Sequence, residues 1–142
     1  MEPDRRFPQL RQVVLDSTDV RGLAEFYRQL LGYHYRPGDD QPVPSGDDWL
    51  VLHDRSGQPR VAFQQVDELA ETTWPDSRIP QQLHLDLTVP TVADLDAQHD
   101  RALSLGARLL LDRAEDEDEP LRVYADPAGH PFCIFVVAAP QP

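Results

Sequence analysis

The feature that most constrains the fold of this chain is an internal repeat. A strand-like alternation followed by a helical pattern occurs at residues 12–33 and again at residues 82–107. Gln12 in the first copy corresponds to His84 in the second, an offset of 72 residues (84 − 12). A D-x-x-G turn at residues 54–57 recurs at residues 126–129, with the same separation of 72 (126 − 54). The repeat therefore predicts two copies of one supersecondary unit.

Each copy reads as β-α-β-β-β. Period-two alternation marks the half-buried strands, and apolar residues at i, i+3 and i+4 mark the helices. Thr18 or Asp19 can cap the first helix, which Gly32 ends, and Thr91 with Asp94 resembles a capping box before the second. The predicted strands are residues 10–16, 33–36, 49–53 and 60–66 in the first copy, and 82–89, 107–112, 121–125 and 132–137 in the second.

The chain therefore divides into two modules. We predict an arm at residues 1–9, a first βαβββ module at 10–66, a linker at 67–81, a second module at 82–137 and a tail at 138–142. Four strands with one helix leave one face of a sheet bare, so the two modules should pack together. The predicted fold class is α+β, with two tandem modules forming curved mixed sheets around a central pocket.

Length and composition narrow the function. The 142 residues suit one compact domain, and no apolar run approaches the ~20 residues that span a bilayer. The first residues lack the apolar core of a signal peptide, and the single Cys133 suits a reducing compartment, so we expect a cytoplasmic protein without membrane association. The net charge of −12 disfavours binding to nucleic acid.

Four motifs together resemble one superfamily. They are D-V-x-x-L-A-x-F-Y-x-x-L-L-G-Y from residue 19, L-H-L-D-L-x-V from 83, L-G-A from 105 and D-P-x-G-H-P-F-C from 126. The chain is similar in these motifs to the vicinal oxygen chelate superfamily, and most of all to its glyoxalase-like branch. That superfamily includes glyoxalase I, bleomycin-resistance proteins, fosfomycin-resistance proteins and extradiol dioxygenases. The resemblance implies paired βαβββ modules with a pocket at their junction, and it leaves the reaction open.

The resemblance also implies where a metal would bind. In metal-using relatives, the first and last strands of each half carry ligands that face the pocket. Those positions correspond here to Gln12, His84 and Cys133. The fourth position is ambiguous. The ungapped repeat maps Cys133 to Val61, whose pocket-facing neighbour is Phe63, whereas a shift of the strand by one residue selects Gln64. Neither alignment places a carboxylate at these positions.

This ligand set predicts a degenerate or absent metal site. Only His84 is a strong ligand for a divalent ion, and a thiol on an apolar strand such as Cys133 resists deprotonation. We therefore expect a glyoxalase-like protein that binds a small molecule between its modules, with either no cofactor or a divalent metal held by His84. The alternative is a metal-dependent lyase, isomerase or dioxygenase of the same superfamily.

Several of these residues have a second interpretation. His84 could simply bond a neighbour, and Cys133 could be a small buried apolar residue. Asp86 shares the strand face of His84, so it is either a partner that orients the imidazole or a surface acid. His99 lies on the apolar stripe of the second helix and is expected in the core. Aromatic strand residues either line the pocket or pack in the core, namely Trp49, Phe63 and Tyr124.

Two acidic loops, at residues 37–48 and 114–120, follow the second strand of each half. They are either solvated loops or the rim of a pocket for a cationic ligand, as in bleomycin-binding proteins. Strand edges in such halves can also pair between chains, so a homodimer is a further expectation.

Overall fold

The computed structural model describes residues 5–138. Residues 1–4 of the predicted arm and 139–142 of the predicted tail lie outside this range. Residues 5–138 form eight strands and two helices in the predicted order, which confirms an α+β fold of two repeated modules. The elements are β1 (Val13–Ser17), α1 (Val20–Leu31), β2 (His34–Tyr35), β3 (Trp49–His53), β4 (Pro59–Gln65), β5 (Leu85–Val89), α2 (Val92–Leu105), β6 (Arg108–Arg113), β7 (Leu121–Ala125) and β8 (Pro131–Val136).

The two modules build the same sheet. Strand order is β1-β4-β3-β2 in the first sheet and β5-β8-β7-β6 in the second. In both, the first and last strands of the module pair in parallel, and the remaining neighbours are antiparallel. β5 begins three residues later than predicted, at Leu85 opposite Phe132. The preceding position faces Pro131, which has no backbone N–H to donate, so the ladder starts after it.

Both helices have the expected ends. Asp19 caps α1 by accepting a hydrogen bond from the Gly22 N–H at 3.1 Å, and Gly32 ends the helix at φ 69°. Thr91 caps α2 by accepting from a backbone N–H in the first turn, and Gly106 ends it at φ 116°. These positive φ angles explain why a glycine follows each helix.

A single core joins the modules, and α1 lies at its centre. The Tyr27 ring stacks on Phe63 of β4 at 6.0 Å and meets Phe132 of β8 at 6.2 Å, while Phe26 lies 5.9 Å from Phe132. The inner faces of both sheets therefore pack toward α1. Because strand residues alternate between faces, the neighbours of Phe63 and Phe132 point away from this core. We call these opposite surfaces the outer faces.

A buried hydrogen bond also crosses between the modules. Tyr27 Oη donates to Asp126 Oδ2 at 2.6 Å, and both side chains are buried. The other oxygen of Asp126 accepts from the backbone N–H groups of Ala128 and His130. This aspartate thus ties the β7–β8 turn to α1 and fixes where β8 begins. Among residues 5–138, no helix is long and apolar enough to cross a membrane.

Candidate functional site

A cluster of metal-binding side chains lies on the outer face of the second sheet. The parallel pairing of β5 with β8 sets Asp86 beside Cys133. His84 precedes Asp86 by two residues, and its Nε2 lies 3.2 Å from Asp86 Oδ1. One ligand atom from each of the three side chains lies within 4.8 Å of the others. We call His84, Asp86 and Cys133 the HDC cluster.

The local charge works against a free thiolate. Cys133 is 8% exposed, and this burial raises the pKa of its thiol to about 11. The negative charges of Asp86 and Glu119 contribute smaller parts of the same increase. The same two carboxylates attract a cation to the region of the sulfur. A bound positive ion would in turn lower the pKa of the Cys133 thiol. His84 and Asp86 are more accessible, with side-chain exposures of 33% and 58%.

The linker between the modules covers one side of His84. The Trp74 ring stacks on the imidazole with centroids 5.0 Å apart and planes 13° apart. The side-chain amide of Gln81 contacts His84 Nδ1 at 2.9 Å and Trp74 Nε1 at 3.0 Å. Since indole N–H can only donate, the amide is assigned with its oxygen toward Trp74 and its nitrogen toward His84. The linker thus forms the immediate surroundings of the HDC cluster.

The donor set of the cluster fits a divalent ion. Imidazole, carboxylate and thiolate are all ligands of zinc, at about 2.0–2.3 Å from the metal. Two ligands of one ion can then be at most about 4.6 Å apart, so a small side-chain rotation would close the 4.8 Å spacing. The family's ligand positions include no carboxylate here, but Asp86 lies beside His84, as their shared strand face predicts. Its carboxylate comes from the same strand, at a position the family correspondence does not include.

Two of the predicted pocket residues lie in the core. Phe63 and Tyr124 are both 0% exposed, and Tyr124 stacks on Phe132 at 5.1 Å. The Tyr124 hydroxyl lies 2.8 Å from Nδ1 of His99, so His99 has the hydrogen-bond partner that the helix stripe predicts, but it is half-buried and lies outside the buried core. The expectation that Phe63 and Tyr124 line a pocket is therefore wrong, because both belong to inner-face positions.

Three further predicted residues belong to the first module. The register pairs Gln64 with both Asp16 and Trp49. Phe63 stacks on Tyr27 in the core and Gln64 is exposed, so Gln64 lies on the outer face and Phe63 on the inner face. Trp49 is 37% exposed on this outer face. Gln12 precedes β1, and among the described residues its buried Oε1 has no hydrogen-bond partner. The HDC cluster belongs to the other sheet, so these residues form a separate group.

A cavity of about 340 Å³ lies between the modules. Residues of β1, the linker and the β7–β8 turn line it, among them Val14, Asp16, Ile79 and His130. Nε2 of His130 lies 2.7 Å from the Asp16 carbonyl oxygen and closes one side. Within residues 5–138, none of the predicted ligand-binding residues lines this cavity, contrary to expectation. The period-two sequence pattern predicted that most of these residues lie on strands. It could not predict which face of each sheet would pack against the other module.

The sequence carries no signal that marks Trp74 and Gln81 as neighbours of His84. Both lie in a proline-containing linker without strand or helix periodicity, and only an aromatic residue in such a segment hinted at a packed position. Trp74 and Gln81 precede His84 by ten and three residues, and the irregular backbone between them brings the side chains into contact. Irregular backbone has no sequence periodicity from which such contacts could be predicted.

The acidic loops differ in what their carboxylates do. In the first loop, Asp47 forms a two-pronged ion pair with Arg21 at 2.9 and 3.0 Å, and Asp39 accepts from the Val51 N–H. In the second, Asp116 accepts from backbone N–H groups of its own turn. These acids therefore stabilise their own loops, and Glu119 acts on the HDC cluster through its charge.

Comparison with known proteins agrees with this architecture. A family model described as a glyoxalase-like domain matches residues 12–135. No curated protein matches the chain. A glyoxalase/bleomycin resistance protein/dioxygenase family enzyme from Burkholderia phytofirmans PsJN has a TM-score of 0.63 at 19% identity, covering 89% of this chain and 97% of that one.

Two fosfomycin resistance proteins have the same fold. FosX from Mesorhizobium loti has a TM-score of 0.65 at 14% identity, covering 93% of this chain and 94% of its own. FosX from Listeria monocytogenes, in complex with Mn(II) and sulfate, has a TM-score of 0.66 at 13% identity, with coverage of 93% and 94%. At these identities the likeness shows the fold alone. The family model spans nearly the whole chain, and the protein accordingly belongs to the glyoxalase-like domain family of the vicinal oxygen chelate superfamily.

Proposed function

We propose that the protein binds a divalent metal ion through the HDC cluster and holds a small oxygen-bearing molecule beside it. The observation that supports this proposal is the approach of an imidazole, a carboxylate and a thiol to within 4.8 Å. His84 and Cys133 also correspond to ligand positions of metal-using relatives. A FosX protein of the same fold was crystallised with Mn(II), so this scaffold can carry a divalent ion.

Each residue of the cluster has a distinct part in such a site. His84 and Asp86 are accessible and offer a nitrogen and an oxygen without movement of the backbone. Cys133 must lose its proton, so binding should release protons into solution. A bound divalent ion would polarise an oxygen of the held molecule and stabilise negative charge on it.

The ligand set favours a lyase or isomerase over a dioxygenase. Non-haem iron(II) oxygenases commonly use two imidazoles and one carboxylate. Within the described residues, the HDC cluster contributes one imidazole and adds a thiol. Thiolate ligands suit zinc, which is not redox-active and acts as a Lewis acid. The reaction class we propose is therefore rearrangement or elimination next to a polarised oxygen.

Metal titration of the purified apoprotein tests the proposal. Zn²⁺, Co²⁺ and Mn²⁺ binding would be measured by equilibrium dialysis, and Co²⁺ would report sulfur ligation through a thiolate charge-transfer band. His84→Ala, Asp86→Asn and Cys133→Ser should each weaken zinc binding by at least about tenfold. His34→Ala, which removes an exposed histidine from the first sheet, is the matched control. Equal zinc affinity in His84→Ala and the unmodified protein would refute the proposed site.

A metal-free binding protein is the second candidate. It is favoured by the raised pKa of the Cys133 thiol and by the partners that already occupy both nitrogens of His84. In that case the chain should bind a small molecule equally well after exhaustive chelation. The negative charge of the second acidic loop supports a cationic ligand, with bleomycin as the probe. Neutralising Glu115, Asp116, Glu117, Asp118 and Glu119 should then weaken bleomycin binding at low ionic strength, and unchanged affinity would exclude this ligand class.

We further propose a cytoplasmic homodimer. The support is an apolar surface on the outer face of the first sheet, where Val14 is 38% and Trp49 is 37% exposed. Covering such an apolar surface with a second chain lowers the free energy and so favours a dimer. Sedimentation velocity should show a dimer that Trp49→Glu dissociates, and a monomeric unmodified protein would refute the proposal.

A further inference from the structure

The surroundings of His84 determine which of its ring nitrogens carries a proton. Nε2 faces Asp86 Oδ1 at 3.2 Å, toward the centre of the HDC cluster. Nδ1 faces the side-chain amide of Gln81 at 2.9 Å. A metal held with Asp86 and Cys133 would have to bind Nε2, so the proton of the neutral ring would then be on Nδ1.

The orientation of the Gln81 amide follows from its other neighbours. Trp74 Nε1 lies 3.0 Å away on one side and can only donate. The Leu83 carbonyl oxygen lies 3.2 Å away on the other side and can only accept. The amide oxygen must therefore face Trp74, while its NH₂ group donates to both Leu83 and His84 Nδ1.

This orientation requires Nδ1 of His84 to be an acceptor. The neutral imidazole then carries its proton on Nε2, where it can donate to Asp86. In this tautomer Nε2 has no lone pair for a metal. Metal-bound histidines normally donate their other ring N–H to an oxygen acceptor, which is the reverse of the arrangement here.

We propose that Trp74 and Gln81 act as positioning residues that hold His84 in the Nε2–H tautomer and thereby weaken metal binding by the HDC cluster. The effect on affinity rests on the proposed metal site, whereas the tautomer does not. To accept a metal, His84 must move its proton to Nδ1, and Gln81 must turn its oxygen toward that nitrogen. This rotation of the Gln81 amide breaks its hydrogen bonds with Trp74 and with the Leu83 carbonyl.

The tautomer is measured directly in the metal-free protein. Nitrogen-15 NMR separates protonated from unprotonated ring nitrogens, and the spectra are recorded at a pH above which the imidazole signals no longer change. The His84→Ala spectrum assigns the signals. We expect an unprotonated Nδ1 and a protonated Nε2 for His84. A proton on Nδ1 would overturn the inference whatever the metal affinity.

The effect on metal binding is measured with two substitutions at one position. Gln81→Glu replaces the donor with a second acceptor, so that Nδ1–H is favoured and Nε2 is free. It should tighten zinc binding by about 10–100-fold, the usual influence of such an outer hydrogen-bond partner. Gln81→Leu removes the opposing donor without adding charge and should tighten binding by about threefold to tenfold. Weaker or unchanged binding in Gln81→Leu would overturn the inference.

The added charge in Gln81→Glu needs its own control. Gln82→Glu places the same charge at the adjacent exposed residue and should leave zinc affinity within about twofold of the unmodified protein, since an exposed charge is largely screened. If Gln82→Glu tightened binding as much as Gln81→Glu, charge alone would explain the result and the proposed mechanism would be wrong. Failure of every variant to bind zinc would refute the metal site and its proposed tuning, while the NMR result would still decide the tautomer.

Discussion

Removal of the Tyr27 hydroxyl should destabilise the protein through Asp126. The hydroxyl donates to a buried carboxylate at 2.6 Å and is the contact that joins α1 to the β7–β8 turn. In Tyr27→Phe this carboxylate loses one of its three hydrogen-bond donors and stays buried. Hydrogen bonds to charged groups contribute about 1.5–3 kcal/mol, so we expect the free energy of unfolding to fall by roughly 2 kcal/mol. For a domain of this size, the melting temperature should drop by about 5–10 °C.

The stability lost in Tyr27→Phe should increase as the pH rises. Burial raises the pKa of Asp126 in the folded protein above its ordinary value. The folded state therefore binds this proton more tightly than the unfolded state, and stability falls as pH rises through the pKa of Asp126. Without the Tyr27 hydroxyl that pKa should rise further, because a donor to the ionised form has gone. The difference between Tyr27→Phe and the unmodified protein should grow from about 1 kcal/mol near pH 4 to about 2–3 kcal/mol near pH 8.

Urea unfolding followed by circular dichroism across this pH range measures the effect. Tyr35→Phe is the matched control, because the Tyr35 hydroxyl also donates to a carboxylate, Glu25, at 2.8 Å but at a partly exposed site. We expect that substitution to cost less than about 0.5 kcal/mol. A loss below about 0.5 kcal/mol for Tyr27→Phe at every pH, or a loss that does not change with pH, would refute the reasoning.

Three further predictions concern single residues. Alkylation of Cys133 by iodoacetamide should stay slow at neutral pH and accelerate toward pH 11, following its raised pKa of about 11, and fast alkylation at pH 7 would contradict it. Gly129→Ala should destabilise the fold by clearly more than Gly57→Ala in thermal melts. Both glycines have positive φ, but an added Cβ at Gly129 would lie 2.6 Å from Glu71 Cγ, whereas nothing lies within 4 Å at Gly57. Phe63→Ala should lower the free energy of unfolding by about 3–5 kcal/mol, as expected for a core aromatic residue. A loss near zero would contradict the placement of Phe63 in the core.

The sequence determined the order of elements because that order depends on local patterns. The repeat, the alternation and the cap residues are short-range signals, and the bounds of β3 and β7 agree with prediction to the residue. The predicted start of β5 was early, since its limit is set by Pro131, which lies 46 residues beyond Leu85 (131 − 85). An element limit that depends on a distant partner is not visible in local sequence.

Only the tertiary structure decided which faces meet. Val61, Ala62 and Phe63 in β4 are all apolar, so the pattern could not distinguish the inner face from the outer one. The packing of Phe63 against Tyr27 of α1 decides it. The carboxylate of the HDC cluster was recognisable as a neighbour of His84, but its closeness to Cys133 depends on the register between strands far apart in the chain. The contacts of Trp74 and Gln81 with His84 likewise arise only when irregular backbone folds over the sheet. Periodicity tells which residues alternate, whereas side-chain surroundings depend on packing between segments that share no local signal.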